Sequence, residues 1–270
     1  MISNILFIIA ALFSLLAMWL IVACIRSNSE KDKLQRYISL SVGFSIICTL
    51  IAILQLGFIG STGLFLTLTT VAGFATLLVQ SLYLIGIWQH GVRGLGLLLL
   101  PLTAVPLLLL PFLPAGESSQ WVEAHSFLQT GHLLLSVAGY AILTLAALYA
   151  CMQLLLDRSL KNKSIGFFVQ AMPSLTDISD HLFAHVRWAT WLIGLSIVTG
   201  LSWQWLEMHH FALLNHKVLL ALFAWVALFT LYYFRKKAAW HHNRASKMVL
   251  FAYISLMLAY FGVKIIQNLN

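Results

Sequence analysis

Ten histidines stand in 270 residues. Neutral imidazole is the usual axial ligand of haem iron and binds many other transition metals. A histidine near a helix end also serves as an amphipathic boundary residue, so most of the ten need no chemistry. His132 stands apart. It heads the run His132-Leu-Leu-Leu-Ser136-Val-Ala-Gly139-Tyr140, in which positions 132, 136, 139 and 140 share one helical face, small or polar, among Leu, Val and Ala. Two readings are open. The stripe is a close helix–helix contact through Ser136 and Gly139 with the histidine hydrogen-bonded at the boundary, or it sets an imidazole at the mouth of a crevice for a flat aromatic ligand. Ligation of iron would require the neutral ring.

Other residue types narrow the chemistry. Trp203 and Trp205 precede His209, His210 and His216. Tryptophans there are first of all an interfacial belt, yet aromatic plates beside imidazoles also suit a porphyrin. The eight acids fall in loops or at helix ends, which argues against a mid-membrane proton relay. Cys24, Cys48 and Cys151 form no CxxC pair and read as small apolar residues. Nothing resembles a phosphate-cradling glycine loop, a zinc-protease helix or a Ser/His/Asp set. The expectation is that the protein is not an enzyme.

The elements that must hold these residues are legible in the composition: 61% hydrophobic and 9% charged, far from the roughly one quarter charged of soluble chains. Apolar blocks of about 20 residues, each able to cross ~30 Å of hydrocarbon as a helix, fall at 4–25, 38–59, 62–87, 94–113, 133–156, 184–206, 218–234 and 248–266. The expected fold is therefore an all-α polytopic membrane protein of about eight transmembrane helices. Fourteen of the sixteen Lys and Arg fall on one side of this scheme, leaving Lys217 and Lys264 on the other. The bias places both termini on the outer (periplasmic) side. The net charge of +8 is then a matter of topology and anionic lipid, and no nucleic-acid partner is expected.

His125, His132, His209, His210 and His216 would lie outside, and His90, His181, His185, His241 and His242 inside. The outer loop 114–132 and the inner loop 157–183 could each hold short helices along the interface. Pro101, Pro106 and Pro111 should bend or loosen the fourth span. The stripe Thr69, Gly73, Thr76 and Gln80 reads as helix–helix glue, with Gln80 pairing to a neighbouring helix. Expected units are a four-helix half over 1–113 and a second four-helix half over 114–270.

His132 to Leu156 resembles the histidine-led span of the cytochrome c assembly family, haem-handling membrane proteins, and within it a bacterial inner-membrane branch. Asp180 to Trp203, ending GLSIVTGLSW, is similar to the span before that family's tryptophan-rich external segment, and Asn215 to Phe234 to the span after it. Trp240 onward, with AYFGVKII, resembles the closing basic loop and last helix. The likeness runs from about 120 to 266. The tryptophan-rich segment is short here, Ser202-Trp203-Gln204-Trp205-Leu206-Glu207, and Asn215-His216-Lys217-Val218 replaces the Asp-Pro-Lys-Glu that should follow it. The family's membrane histidine near Tyr233 is missing.

The resemblance implies a haem cofactor and carries over one iron ligand, His132. Trp203 and Trp205 are candidate pocket walls, and His209, His210 or His216 a replacement second ligand. The expected function is non-catalytic haem binding or handling in an inner membrane, related to cytochrome c biogenesis. The alternative is a haem-free scaffold or regulatory subunit for a membrane-protein partner or a tetrapyrrole-synthesis enzyme. A small-molecule transporter fits less well, lacking mid-membrane charges and internal repeats.

Overall fold

The computed structural model describes residues 2–26, 31–59, 64–90, 93–112, 122–124, 126–163, 166, 169, 172–208, 216–234 and 242–259. Eight helices carry almost all of them: α1 (Ile2–Arg26), α2 (Lys31–Gln55), α3 (Leu68–His90), α4 (Arg93–Leu109), α5 (Phe127–Lys161), α6 (Leu175–Met208), α7 (His216–Phe234) and α8 (His242–Met257). Each expected span overlaps one of them, and the part of the last span beyond residue 259 lies outside the described residues. Six contain stretches long and apolar enough to cross a membrane, and Val218–Phe234 is a shorter apolar helix.

The chain divides into two compact units, Met1–His125 with Gly166–Pro173, and Ser126–Ile165 with Ser174–Asn270. In the first unit α1 packs on α2 and α4, and α3 on the same two helices. Lipid offers helices no hydrophobic reason to associate, so close packing of small residues and interhelical hydrogen bonds must do it. α1 accordingly buries Ser3, Phe7, Ala10, Ser14, Ala17, Ile21 and Cys24 on one face at helical spacing and turns Ile5, Leu12 and Trp19 outward. Gly73 lets α3 approach so near that a Cβ there would lie 3.1 Å from Ile53 of α2 and 3.4 Å from Phe7 of α1.

Gln80 ties the first unit together, and the expected pairing is met on three sides. Its Nε2 donates to Ser14 of α1 (3.3 Å) and to Thr103 of α4 (3.1 Å). Ser45 of α2 stands 3.1 Å from its Oε1 and 2.8 Å from the Ala10 carbonyl. The hydroxyls of Ser14 and Thr103 donate in turn to the Leu100 carbonyl. All four side chains are buried.

Ends are set by local chemistry. α2 stops at a Schellman turn: Gly57 takes φ +75°, its N–H donates to the Leu54 carbonyl, and the Phe58 N–H reaches back to that of Ile53. Thr67 and Thr70 cap α3 reciprocally, each hydroxyl accepting the other's backbone N–H at 3.1 and 2.8 Å. At α6, Ser174 accepts the Asp177 N–H and donates to that carboxylate.

Two expectations about local structure give way. Residues 64–66, expected inside the third span, form β1 (Leu64–Leu66), and part of the outer loop is a strand, β2 (Val122–Ala124), rather than an interfacial helix. The two pair antiparallel, Phe65 opposite Glu123, because backbone groups outside the helices can satisfy one another only by pairing. This pairing joins residues up to His125 to the first unit. In the fourth span α4 continues through Pro101 and Pro106, and at Leu110–Phe112, around Pro111, it tightens to a 3-10 turn. At the loop expected on the inner side, α5 runs on to Lys161 and α6 starts at Leu175; Phe167 and Phe168 lie outside the described residues.

Replacing Gln80 by Leu removes the cross-ties while leaving the hydroxyl-to-carbonyl bonds in place. Unfolding of Gln80→Leu in detergent should show a loss of roughly 1–2 kcal/mol, and an unchanged stability would show that the hub contributes nothing.

Candidate functional site

In the second unit α5 packs on α6 and α8, and α7 on the same two helices. Ser126 starts α5: its backbone is extended (φ −104°, ψ 151°) and its Oγ accepts the Gln129 N–H at 3.1 Å. That cap places His132 in the second turn of the helix, half-buried.

The ring of His132 is fixed from α6. Its Nδ1 lies 2.7 Å from the backbone carbonyl of Ser196 and 3.2 Å from the Ser196 hydroxyl. A carbonyl can only accept, so Nδ1 carries the proton. The hydroxyls then fall into one consistent order: Ser136 donates to the His132 carbonyl (2.6 Å) and Ser196 donates to Ser136 (2.6 Å). In the neutral ring Nε2 is then the unprotonated nitrogen, its lone pair in the ring plane, and among the described residues it has no hydrogen-bond partner. A neutral imidazole in this tautomer can accept a hydrogen bond or bind a metal through Nε2.

Gly200 makes the arrangement possible. A Cβ at 200 would lie 2.7 Å from His132 Nδ1 and 2.8 Å from Cε1, so a side chain there displaces the ring. About two turns further into α5, a Cβ on Gly139 would meet Ile193 Cγ1 at 2.9 Å. The stripe of His132, Ser136 and Gly139 is thus a helix contact with α6, while Tyr140 leaves it to donate from its hydroxyl to the Leu256 carbonyl at 3.0 Å.

The remaining candidates separate by helix geometry. Trp203 lies about one turn beyond Gly200 and two turns beyond Ser196, on the face that meets His132, and is half-buried. Trp205 falls about two and a half turns from Ser196, on the opposite face, and is 53% exposed. The structure therefore groups His132 with Trp203 and not with Trp205. His209 and His210 lie outside the described residues; the backbone of His216 opens α7, and its side chain is not described.

Sequence reasoning passed over Ser196 and Gly200, although their small-xxx-small spacing is the mark of a close helix crossing. It also passed over Tyr149. This buried ring stacks on His181 (centroids 5.3 Å apart) and meets His185 at a tilt (5.2 Å), near the other end of the same helix pair. Nδ1 of His185 is bonded to the His181 carbonyl at 2.7 Å. Only the i, i+4 spacing of the two histidines marked the place.

A family model described as Cytochrome C assembly protein matches residues 2–269. The chain is 32% identical over 216 residues to the Inner membrane protein YpjD of Escherichia coli K12, covering 78% of each chain. It is 28% identical over 159 residues to an uncharacterized 28.8 kDa protein of Azospirillum brasilense, covering 58% of this chain and 56% of the other. No solved structure matches it.

The two contacts at His132 are separable by mutation. Gly200→Val should force the ring away and destabilise the helix pair by about 1–3 kcal/mol. Ser196→Ala, which keeps the carbonyl, should lose less than about 1 kcal/mol. Thermal unfolding in detergent measures both, and equal effects would contradict the packing described.

Proposed function

The chain belongs to the cytochrome c assembly family, and we propose that it is a haem-binding or haem-handling protein of a bacterial inner membrane, itself non-catalytic, with His132 Nε2 as an axial ligand. The observation that carries this reading is the bond from His132 Nδ1 to the Ser196 carbonyl. Ligating histidines characteristically donate their other nitrogen to a carbonyl or carboxylate, which fixes the tautomer, orients the ring and raises the basicity of the ligating atom. The donor set suits a haem because the porphyrin supplies four nitrogens and the protein one or two axial side chains. Ser196 holds the proton, Gly200 leaves the ring room, and Trp203 is the nearer candidate wall. A second ligand would come from His209, His210 or His216, which follow α6 in the sequence.

The placement in the membrane rests on charge. Arg158, Lys161 and Lys163 end α5, and Arg244 and Lys247 lie in the first turns of α8. By the positive-inside rule that end of the second unit is cytoplasmic. His132, at the far end of α5, is then periplasmic, in an eight-span arrangement with both termini outside and lipid as the surrounding partner. The relative named an inner membrane protein supports the location.

A second reading is favoured by the contact that makes His132 suitable: its bond to Ser196 also locks α5 to α6, which a haem-free scaffold would equally need. Purification after haem-replete expression separates the two. The proposal expects a Soret band that falls at least roughly tenfold in His132→Ala, is weakened in Gly200→Val and survives in Ser196→Ala. No band, or one indifferent to His132→Ala, sinks it; a haem-free preparation carrying a stoichiometric membrane-protein partner establishes the scaffold.

A further inference from the structure

At the end of the second unit remote from His132, α5 and α8 flank an open cavity of about 550 Å³ whose lining includes Leu154, Asp157, Arg158, Lys161, Asn243 and Lys247. Three cations face a single acid, a formal charge of +2 for Arg158, Lys161 and Lys247 against Asp157. That acid is already engaged: its Oδ2 accepts from Lys161 Nζ at 2.7 Å and from Asn243 Nδ2 at 2.9 Å. The positive charge of Arg158 and Lys247 is therefore not cancelled within the cavity wall. One turn deeper, Ser246 donates to Gln153 Oε1 at 3.0 Å, both residues buried. This polar seam holds α5 against α8 and fixes the spacing of the cations.

We infer that this cavity binds the phosphate head group of an anionic phospholipid, with Arg158 and Lys247 as its principal contacts. Helix periodicity argues for a lipid rather than a soluble phosphate. Leu154 and Leu155 stand one turn deeper than Arg158 on α5, and Phe251 one turn deeper than Lys247 on α8, on the faces of those cations. Leu155 is 45% and Phe251 60% exposed. Cations at the helix ends above exposed apolar side chains reproduce the layering of a phospholipid, charge outward and chains inward. Basic pockets between helices at the cytoplasmic side are suited to such head groups. The positive-inside bias accounts for how many cations lie at this end but not for their convergence on one cavity between two helices.

The test is native mass spectrometry of the full chain in neutral detergent, titrated with phosphatidylglycerol, phosphatidylcholine or inorganic phosphate. Phosphatidylglycerol should bind more tightly than phosphatidylcholine, and Arg158→Gln/Lys247→Gln should weaken it by roughly tenfold to thirtyfold. Lys33→Gln/Arg36→Gln, which removes the same charge from the other unit, should leave that affinity within about twofold. Leu155→Ala/Phe251→Ala should weaken the lipid without affecting any binding of inorganic phosphate. If the double charge variant does not fold, the single Lys247→Gln is read against Lys247→Arg, which should retain binding. Equal affinity for the two lipids, an unaffected charge variant, or inorganic phosphate that displaces the lipid at similar concentration would each overturn the proposal.

Discussion

Hydrocarbon removes water's drive to cluster apolar side chains, so helices are held together by close backbone approach and by the few polar groups they can exchange. Every feature of the second unit that bears on function follows from one such exchange, the contact of α5 with α6. Gly139 and Gly200 bring the backbones close, Ser136 and Ser196 share a proton chain across the gap, and His132 closes the end of the seam on the Ser196 carbonyl. Lengthening either helix by one residue would rotate His132 off this line by about 100°. The first unit solves the same problem with one buried amide, Gln80, shared among α1, α2 and α4.

Much of this was legible in the sequence because lipid imposes long, uniform apolar runs. Each of the eight helices lies where hydropathy placed a span, and Gln80 was recognisable as an isolated amide in an otherwise apolar helix. The strands were not legible. Leu64–Leu66 is as apolar as the helix that follows it, and three residues of one composition carry no period that distinguishes strand from helix. The Thr67-x-x-Thr70 cap, which forces α3 to begin after the strand, was the only local signal.

The site was half legible for a different reason. Residue type drew attention to the histidines and tryptophans, while the residues that position His132 are a serine and a glycine. Their content lies in spacing and in the absence of a side chain, and both become visible only when the facing helix is known. Trp203 and Trp205 looked alike as neighbouring aromatics, yet two residues along a helix amount to about 200° of rotation. That rotation sets Trp203 on the His132 side and Trp205 away from it.

The two readings of His132, helix contact and metal ligand, are not competitors. A position that serves only a close helix crossing is ordinarily filled by Gly, Ala, Ser or Thr, which let backbones approach with no further polar demand. Imidazole brings two nitrogens, and in a medium of low dielectric each needs a partner. Packing here satisfies Nδ1 through Ser196, and in the neutral ring it thereby makes the remaining nitrogen the unprotonated one. The same carbonyl that joins the two helices therefore also fixes the orientation of the ring and, in its neutral form, the tautomer.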